Sequence, residues 1–199
     1  MSICRLSDDS LWLHSPLKLN EELKGELDWL GAVRFVVSPN KLHPLFIGDY
    51  FAAYPETRIY APPGLPEKRP ELPFHGVLGD APEPGWAEDL GQMVFRGYRY
   101  MEEVVFLHRQ SHTMILADLL QSAHSDSPRL TRLVARLYGT YGKPRVPPAI
   151  KFMFRNKAAA RASLERVLSW DFERIVIAHG HSIETGDKAI FRNAYSFLL

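Results

Sequence analysis

Val33-Arg34-Phe35-Val36-Val37-Ser38-Pro39-Asn40-Lys41-Leu42-His43-Pro44 opens as a β-branched and aromatic run and ends as a polar loop. The run predicts a buried strand over 33–37. The loop closes at His43, and Pro44 suits the first position of a helix. Phe46, Ile47, Tyr50, Phe51 and Tyr54 then recur on one helical face. Strand, loop and helix in this order predict an α/β unit with a polar loop at a strand's carboxyl end, where such folds gather their sites.

Upstream, residues 10–14 (SLWLH) predict a short strand. Asn20 is a good N-cap, followed by Glu21 and Glu22, which suit the first turn of a helix. Leu19, Leu23, Leu27 and Leu30 keep helical spacing until Gly31. Downstream, TRIYA (57–61) predicts another strand. Seven prolines between 62 and 85 mark a surface excursion, too proline-rich for regular structure. EVVFLH (103–108), a turn at RQS and HTMILAD (112–118) predict a β-hairpin, with His108 and His112 exposed beside its turn. A basic helix over 128–138, a loop over 139–148, a second basic helix over 156–169, a strand RIVIA (174–178) and a closing helix at FRNAYSFLL complete one α/β domain over 1–199 with mixed sheets.

Apolar residues make up 46% and charged residues 24% of the 199, which excludes a disordered, collagen-like or coiled-coil chain. No apolar run reaches 18 residues, so no membrane-spanning helix is expected. Cys4 stands alone, which excludes an intramolecular disulfide and a multi-cysteine zinc site. With no secretory start, the expectation is a cytoplasmic protein. Between Arg129 and Arg166 stand ten Lys/Arg against one acid, Glu165, while the whole chain carries only +1. This basic segment, part of a helical region over 128–170, is suited to a solvated face, an anionic small molecule or nucleic acid.

Three polar residues stand at predicted strand ends: His43, Asp118 and His179. They come from distant segments and are ligand types for zinc, iron or manganese. The helix N-terminus expected at His43 favours its neutral, metal-binding imidazole. Read singly, a histidine after a strand is more often a hydrogen-bonded structural residue, and Asp118 also suits a helix cap. G-x-S-x-G, P-loop, G-x-G-x-x-G and H-E-x-x-H motifs are absent, which leaves the corresponding chemistries unsupported.

The order of segments resembles the metallo-β-lactamase-like superfamily, and within it a branch known as a domain of unknown function. LWLHSP, VRFVVSPNKLHPLFIGDYFAAYP, EVVFLHRQSHTMILADLL and LERVLSWDFERIVIAHGH carry the likeness, from about Leu11 to Leu199. The resemblance implies an αββα-type sandwich of mixed sheets flanked by helices. It also implies a degenerate form of the metal loop H-x-H-x-D-H. Pro39 and Lys41 stand where the first two histidines belong, His43 at the aspartate and Pro44 at the last histidine. FRGYRYMEE (95–103) holds no histidine where another ligand is expected. Asp118 and His179 match ligands of the second metal position, with His43 as a replacement ligand and His14 and His181 as further candidates. Lys41 offers a metal-free alternative, its ammonium pairing with Asp118 in a vacated position.

Two functions follow. One is a metal-dependent hydrolase of an ester, thioester, lactone or phosphoester, using one divalent ion held by His43, Asp118 and His179. Asp118 would orient the attacking water or accept its proton. The basic segment would lie over the site and attract an anionic substrate, with Tyr138, Tyr141, Phe152 and Phe154 as apolar walls. The other is a catalytically inactive member of the fold, without metal, that binds a metabolite, nucleic acid or protein partner, with 62–85 as an interaction arm. Phe152, Met153 and Phe154 suit either a dimer face or a core plug.

Overall fold

The computed structural model describes residues 1–98, 102–184 and 187–199. Two sheets face each other. The first runs β1 (Ser2–Arg5), β2 (Leu11–His14), β3 (Val33–Val37), β4 (Arg58–Ala61), β5 (Gly76–Val77). β1 is antiparallel to β2, and β2 to β5 are parallel neighbours. The second runs β6 (Leu90–Phe95), β7 (Glu103–His108), β8 (Thr113–Ile115), β9 (Arg174–Val176), with only β8 and β9 parallel.

Period-two alternation sorts the strand residues into three layers of core. Trp12, Phe35, Val37 and Tyr60 of the first sheet meet Val94, Val104, Phe106 and Ile115 of the second. Trp12 crosses Phe106 edge to face at 4.7 Å. Their neighbours Leu11, Leu13, Val33, Val36 and Ile59 point the other way, onto Leu27 of α1 (Glu21–Leu30) and Ile47 and Tyr50 of α2 (Ile47–Ala53). Val105, Leu107, Met114 and Ile175 pack outward with Leu164 and Val167 of α5 (Lys157–Leu168) and Phe191 of α6 (Asp187–Ala194). The result is the expected αββα sandwich.

Local chemistry sets several boundaries. Asn20 accepts the Leu23 N–H at 2.8 Å and starts α1. Gly31 ends it, with φ 153°, where a Cβ would sit 2.7 Å from the Asp9 carbonyl oxygen. The helix expected from Pro44 begins only at Ile47, because 44–47 form a turn in which the Pro44 carbonyl accepts the Ile47 N–H at 3.4 Å.

The excursion 62–85 is more ordered than its prolines imply. Gly76–Val77 extends the first sheet as β5, and Leu65 and Leu78 are buried. β1, β6 and α4 (Pro148–Met153) were not anticipated. β6 is buried throughout, yet Gly91 and Gln92 interrupt its apolar pattern. Gln92 is tolerated there because it accepts the Trp86 Nε1–H and donates to the Gly79 carbonyl, both at 3.0 Å. The basic helices fall as expected, at α3 (Arg129–Tyr138) and α5.

Candidate metal centre

The carboxyl ends of β2, β3, β8 and β9 converge on one edge of the sandwich and deliver His14–Ser15, the loop 38–43, Asp118 and His179. The hairpin strand was expected to run to Asp118 but ends at Ile115. Beyond it, Ala117 and Asp118 turn their N–H groups to the carboxylate of Glu103, at 2.7 and 2.8 Å, and so leave the sheet ladder. That turn aims the Asp118 side chain at the loop 38–43.

His43, Asp118 and His179 come together with one ligand atom each within 4.8 Å of the others. His43 Nε2 donates to Asp118 Oδ2 at 3.0 Å, and His179 Nε2 stands 3.1 Å from Oδ1. An ionised carboxylate only accepts, so both ring nitrogens carry the proton in this arrangement. Burial opposes the Asp118 charge, but the bonds from His179 and His43 outweigh it and hold the carboxyl well below its usual range. His179 is raised in turn by its bond to Asp118. The other nitrogen of His43, Nδ1, meets the Ser15 hydroxyl. A hydroxyl both donates and accepts, so it suits either tautomer and leaves Nε2 free to act as a ligand. Ser15 is buried and holds φ 54°, a backbone state that a non-glycine residue seldom adopts.

Two further residues belong to the site and escaped the sequence reading. Asn40, fully buried, donates its side-chain amide to Glu103 Oε2 and to Asp118 Oδ2, each at 2.9 Å. Its own oxygen accepts the Leu42 N–H at 2.9 Å, an Asx turn that shapes the loop just before His43. Glu103 is enclosed and pushed up to about 7 by burial and by the neighbouring Asp118 charge. Its three partners all donate hydrogen bonds, which stabilises the ionised form. Glu103 reads locally as the polar first residue of an apolar strand, and only an Asn facing it across the fold gives it a role.

The remaining candidates separate. Lys41 does not pair with Asp118; Asn40 fills that position, and Lys41 extends to Gly64, where a Cβ would meet Nζ at 2.6 Å. His181 turns away. Gly180, at φ 140°, reverses the chain where any Cβ would collide with the Ser122 carbonyl, and His181 pairs with Asp126 at 2.8 Å and stacks on His124. His14 lies behind the centre, stacked on Trp12, with Nε2 buried and unpartnered. Burial, reinforced by His43, drives it down to about 3. Of 95–103, residues 99–101 lie outside the described residues.

Two hollows share His179. One, about 270 Å³, is bounded by Ser15, Leu42, Leu45, His43 and Asp118. The other, about 420 Å³, lies between α3 and the start of α4, with Val134, Tyr138 and Ile150 as apolar lining and Ser122, Thr131 and Thr140 as polar lining. Of the expected apolar walls, Tyr138 takes its place here. Tyr141 sits under Arg136, Phe154 is core and Phe152 is solvent-facing.

The donor set fits a divalent ion: two imidazoles and a carboxylate, with hydrogen-bonded support behind His43 and Asp118. The fold itself has solved counterparts. The structure is similar to DIM-1 metallo-β-lactamase, with TM-score 0.65 and 13% identity over 97% of this chain and 83% of that one. It is similar to the metallo-β-lactamase of Hirschia baltica at TM-score 0.61 and 14% identity, over 98% and 84% of the two chains. It is also similar to the metal-soaked flavodiiron core of Flv1 from Synechocystis sp. PCC6803, at TM-score 0.62 and 12% identity, over 96% of this chain and 50% of that one. At such identities the likeness is one of fold. No curated protein matches the sequence. The model of the family described as "Domain of unknown function (DUF4336)" matches residues 1–143 of the 199. With most of its length under that model and the metallo-β-lactamase fold as its framework, the chain belongs to the DUF4336 family.

Proposed function

We propose that this protein is a metal-dependent hydrolase with a single-ion centre formed by His43, Asp118 and His179. The observation that carries the reading is the meeting of three ligand atoms within 4.8 Å from three distant segments. Three protein donors leave a position open to water or substrate, as in hydrolytic zinc sites, and the set equally suits iron or manganese. When bound, a divalent ion supplies Lewis acidity and brings the pKa of water towards about 7.

The chain's own residues divide the remaining work. Asp118, held strongly ionised, is a poor proton acceptor and acts by orienting water and the two imidazoles. Ser15 fixes the ring of His43, and Asn40 fixes both Asp118 and the loop. The larger hollow takes the body of the substrate, an ester, thioester, lactone or phosphoester. Its aliphatic and aromatic lining suits an apolar portion, and the basic segment 129–166 favours an anionic one.

The deciding experiment is metal content by mass spectrometry of protein purified without added metal or chelator, beside Asp118→Ala and His179→Ala. About one ion per chain, lost in both variants, supports the centre and directs a screen of ester and phosphoester substrates with and without chelator. A metal-free protein that stays metal-free after reloading overturns the proposal and leaves a binding protein on a hydrolase fold.

A further inference from the structure

α3 is a surface helix with its apolar face turned outward. In Arg129–Tyr138 only Ala135 is buried. Leu130 is 73% exposed, Leu133 55% and Leu137 79%, with Val134 beside them. On a helical projection these four fall within about 100° of arc, and Arg129, Arg132 and Arg136 form the adjoining arc. A helix that merely covers a protein core turns such a stripe inward. This one holds the core by a single alanine and shows its leucines to solvent.

Along the chain the charge beside it is of one sign, the nearest acid before it, Asp126, being paired with His181. From Ser127 to Leu164 there is no acidic residue, against nine Lys/Arg. α4, across the hollow from α3, adds Lys151 and an exposed Phe152. We infer that α3 is an interfacial helix that docks the protein reversibly on an anionic lipid bilayer, its leucines entering the headgroup boundary and its arginines meeting lipid phosphates. Exposed leucines beside arginines, free of acids, are the composition of a helix that lies in a charged membrane surface. A second copy is a poorer occupant, because a two-fold contact would press this basic face against itself. Nucleic acid would engage the arginines and leave the leucine arc in water.

The inference is independent of the metal reading. The test is co-sedimentation of the full chain with vesicles of phosphatidylcholine alone or mixed with phosphatidylglycerol, at low and high salt. We expect binding to the mixed vesicles, weakened by salt, and little to phosphatidylcholine. Leu133→Asp and Leu137→Asp change solvent-facing side chains and should each weaken binding about tenfold or more. Arg129→Glu should weaken it and reduce its salt dependence. Asp118→Ala should bind as the parent does, which separates this result from any failure of the metal centre. No binding to anionic vesicles, or binding unchanged in both leucine variants, overturns the inference. So does vesicle-free behaviour in which Leu137→Asp instead dissolves a dimer or abolishes retention on single-stranded DNA.

Discussion

Asn40 donates its side-chain amide to Asp118 at 2.9 Å, across 78 residues of sequence. The same nitrogen reaches Glu103 at 2.9 Å, so one neutral side chain keeps two buried carboxyl groups apart and in place. Asn40→Ala withdraws both bonds and the Asx turn, and should cost about 1–3 kcal/mol in urea unfolding at constant m. Asn40→Asp is nearly isosteric but adds a third carboxyl to the cluster, and should cost about 3 kcal/mol or more. The Asp variant's deficit should shrink as pH falls and its carboxyls protonate. Equal stability of Asp and Ala variants at neutral pH would contradict this account.

An ion bound at the proposed centre should be visible in stability. An ion at a hundred times its Kd adds about 2.7 kcal/mol, which for a chain of this size raises Tm by roughly 5–10 °C. Scanning calorimetry with zinc, manganese or iron(II) should show the shift, chelator should reverse it, and His43→Ala should abolish it. Protonated His179 must lose a proton to bind, and Asp118 holds that proton more tightly than usual. Affinity should therefore rise with pH through and above the ordinary histidine range, with protons released on loading.

The Ser15 hydroxyl meets His43 Nδ1, and in the proposed centre it would position that ring without being a ligand. Ser15→Ala keeps the fold and loses the hydroxyl at Nδ1, so metal affinity should fall about 10–100-fold by competitive titration with a chelating dye. Ser15→Thr restores a hydroxyl but sets a β-branched residue at φ 54°, so it should cost stability that Ser15→Ala does not. An unchanged affinity in Ser15→Ala would show that ring orientation is set by packing alone.

His14 gives stability a pH dependence of known sign. Its pKa is pushed down to about 3 in the fold by burial, against about 6.5 unfolded. Between those values the unfolded chain holds the proton and the native chain does not. Stability contributed by neutral His14 is complete above about 6.5 and is lost as pH falls towards 3, at about 1.4 kcal/mol per pH unit. His14→Leu removes both this loss and an unpartnered ring nitrogen. Its urea midpoint should vary less between pH 7 and pH 5 than the parent's; an equal or steeper fall would count against the assignment.

Cys4 is not a reactive thiol. Burial, aided by the nearby Asp89 charge, pushes it up to about 12, far from the thiolate that attacks reagents. A chromogenic disulfide reagent at pH 8 should leave the native protein untouched and titrate one thiol in denaturant. Rapid reaction in the native state would mean that the edge strand β1 opens.

Much of the framework is a matter of local pattern. A β-branched run from Val33 to Val37 next to Leu–His–Pro, an Asn before two acids at α1, and leucines at helical spacing act over a few residues, so the amino-acid order alone carries them. The three ligand candidates belong to this class too, because each stands just past a strand. What lay beyond local pattern depends on partners far apart in sequence. Glu103 is an ordinary strand residue until Asn40 and the Asp118 N–H face it, and Gln92 is acceptable in β6 only because Trp86 meets its oxygen. His179 and His181 are near-equivalent in sequence, two residues apart beside one glycine. Gly180 at φ 140° sends the first to Asp118 and the second to Asp126, so the choice between them was made by backbone geometry and long-range packing, which no spacing encodes.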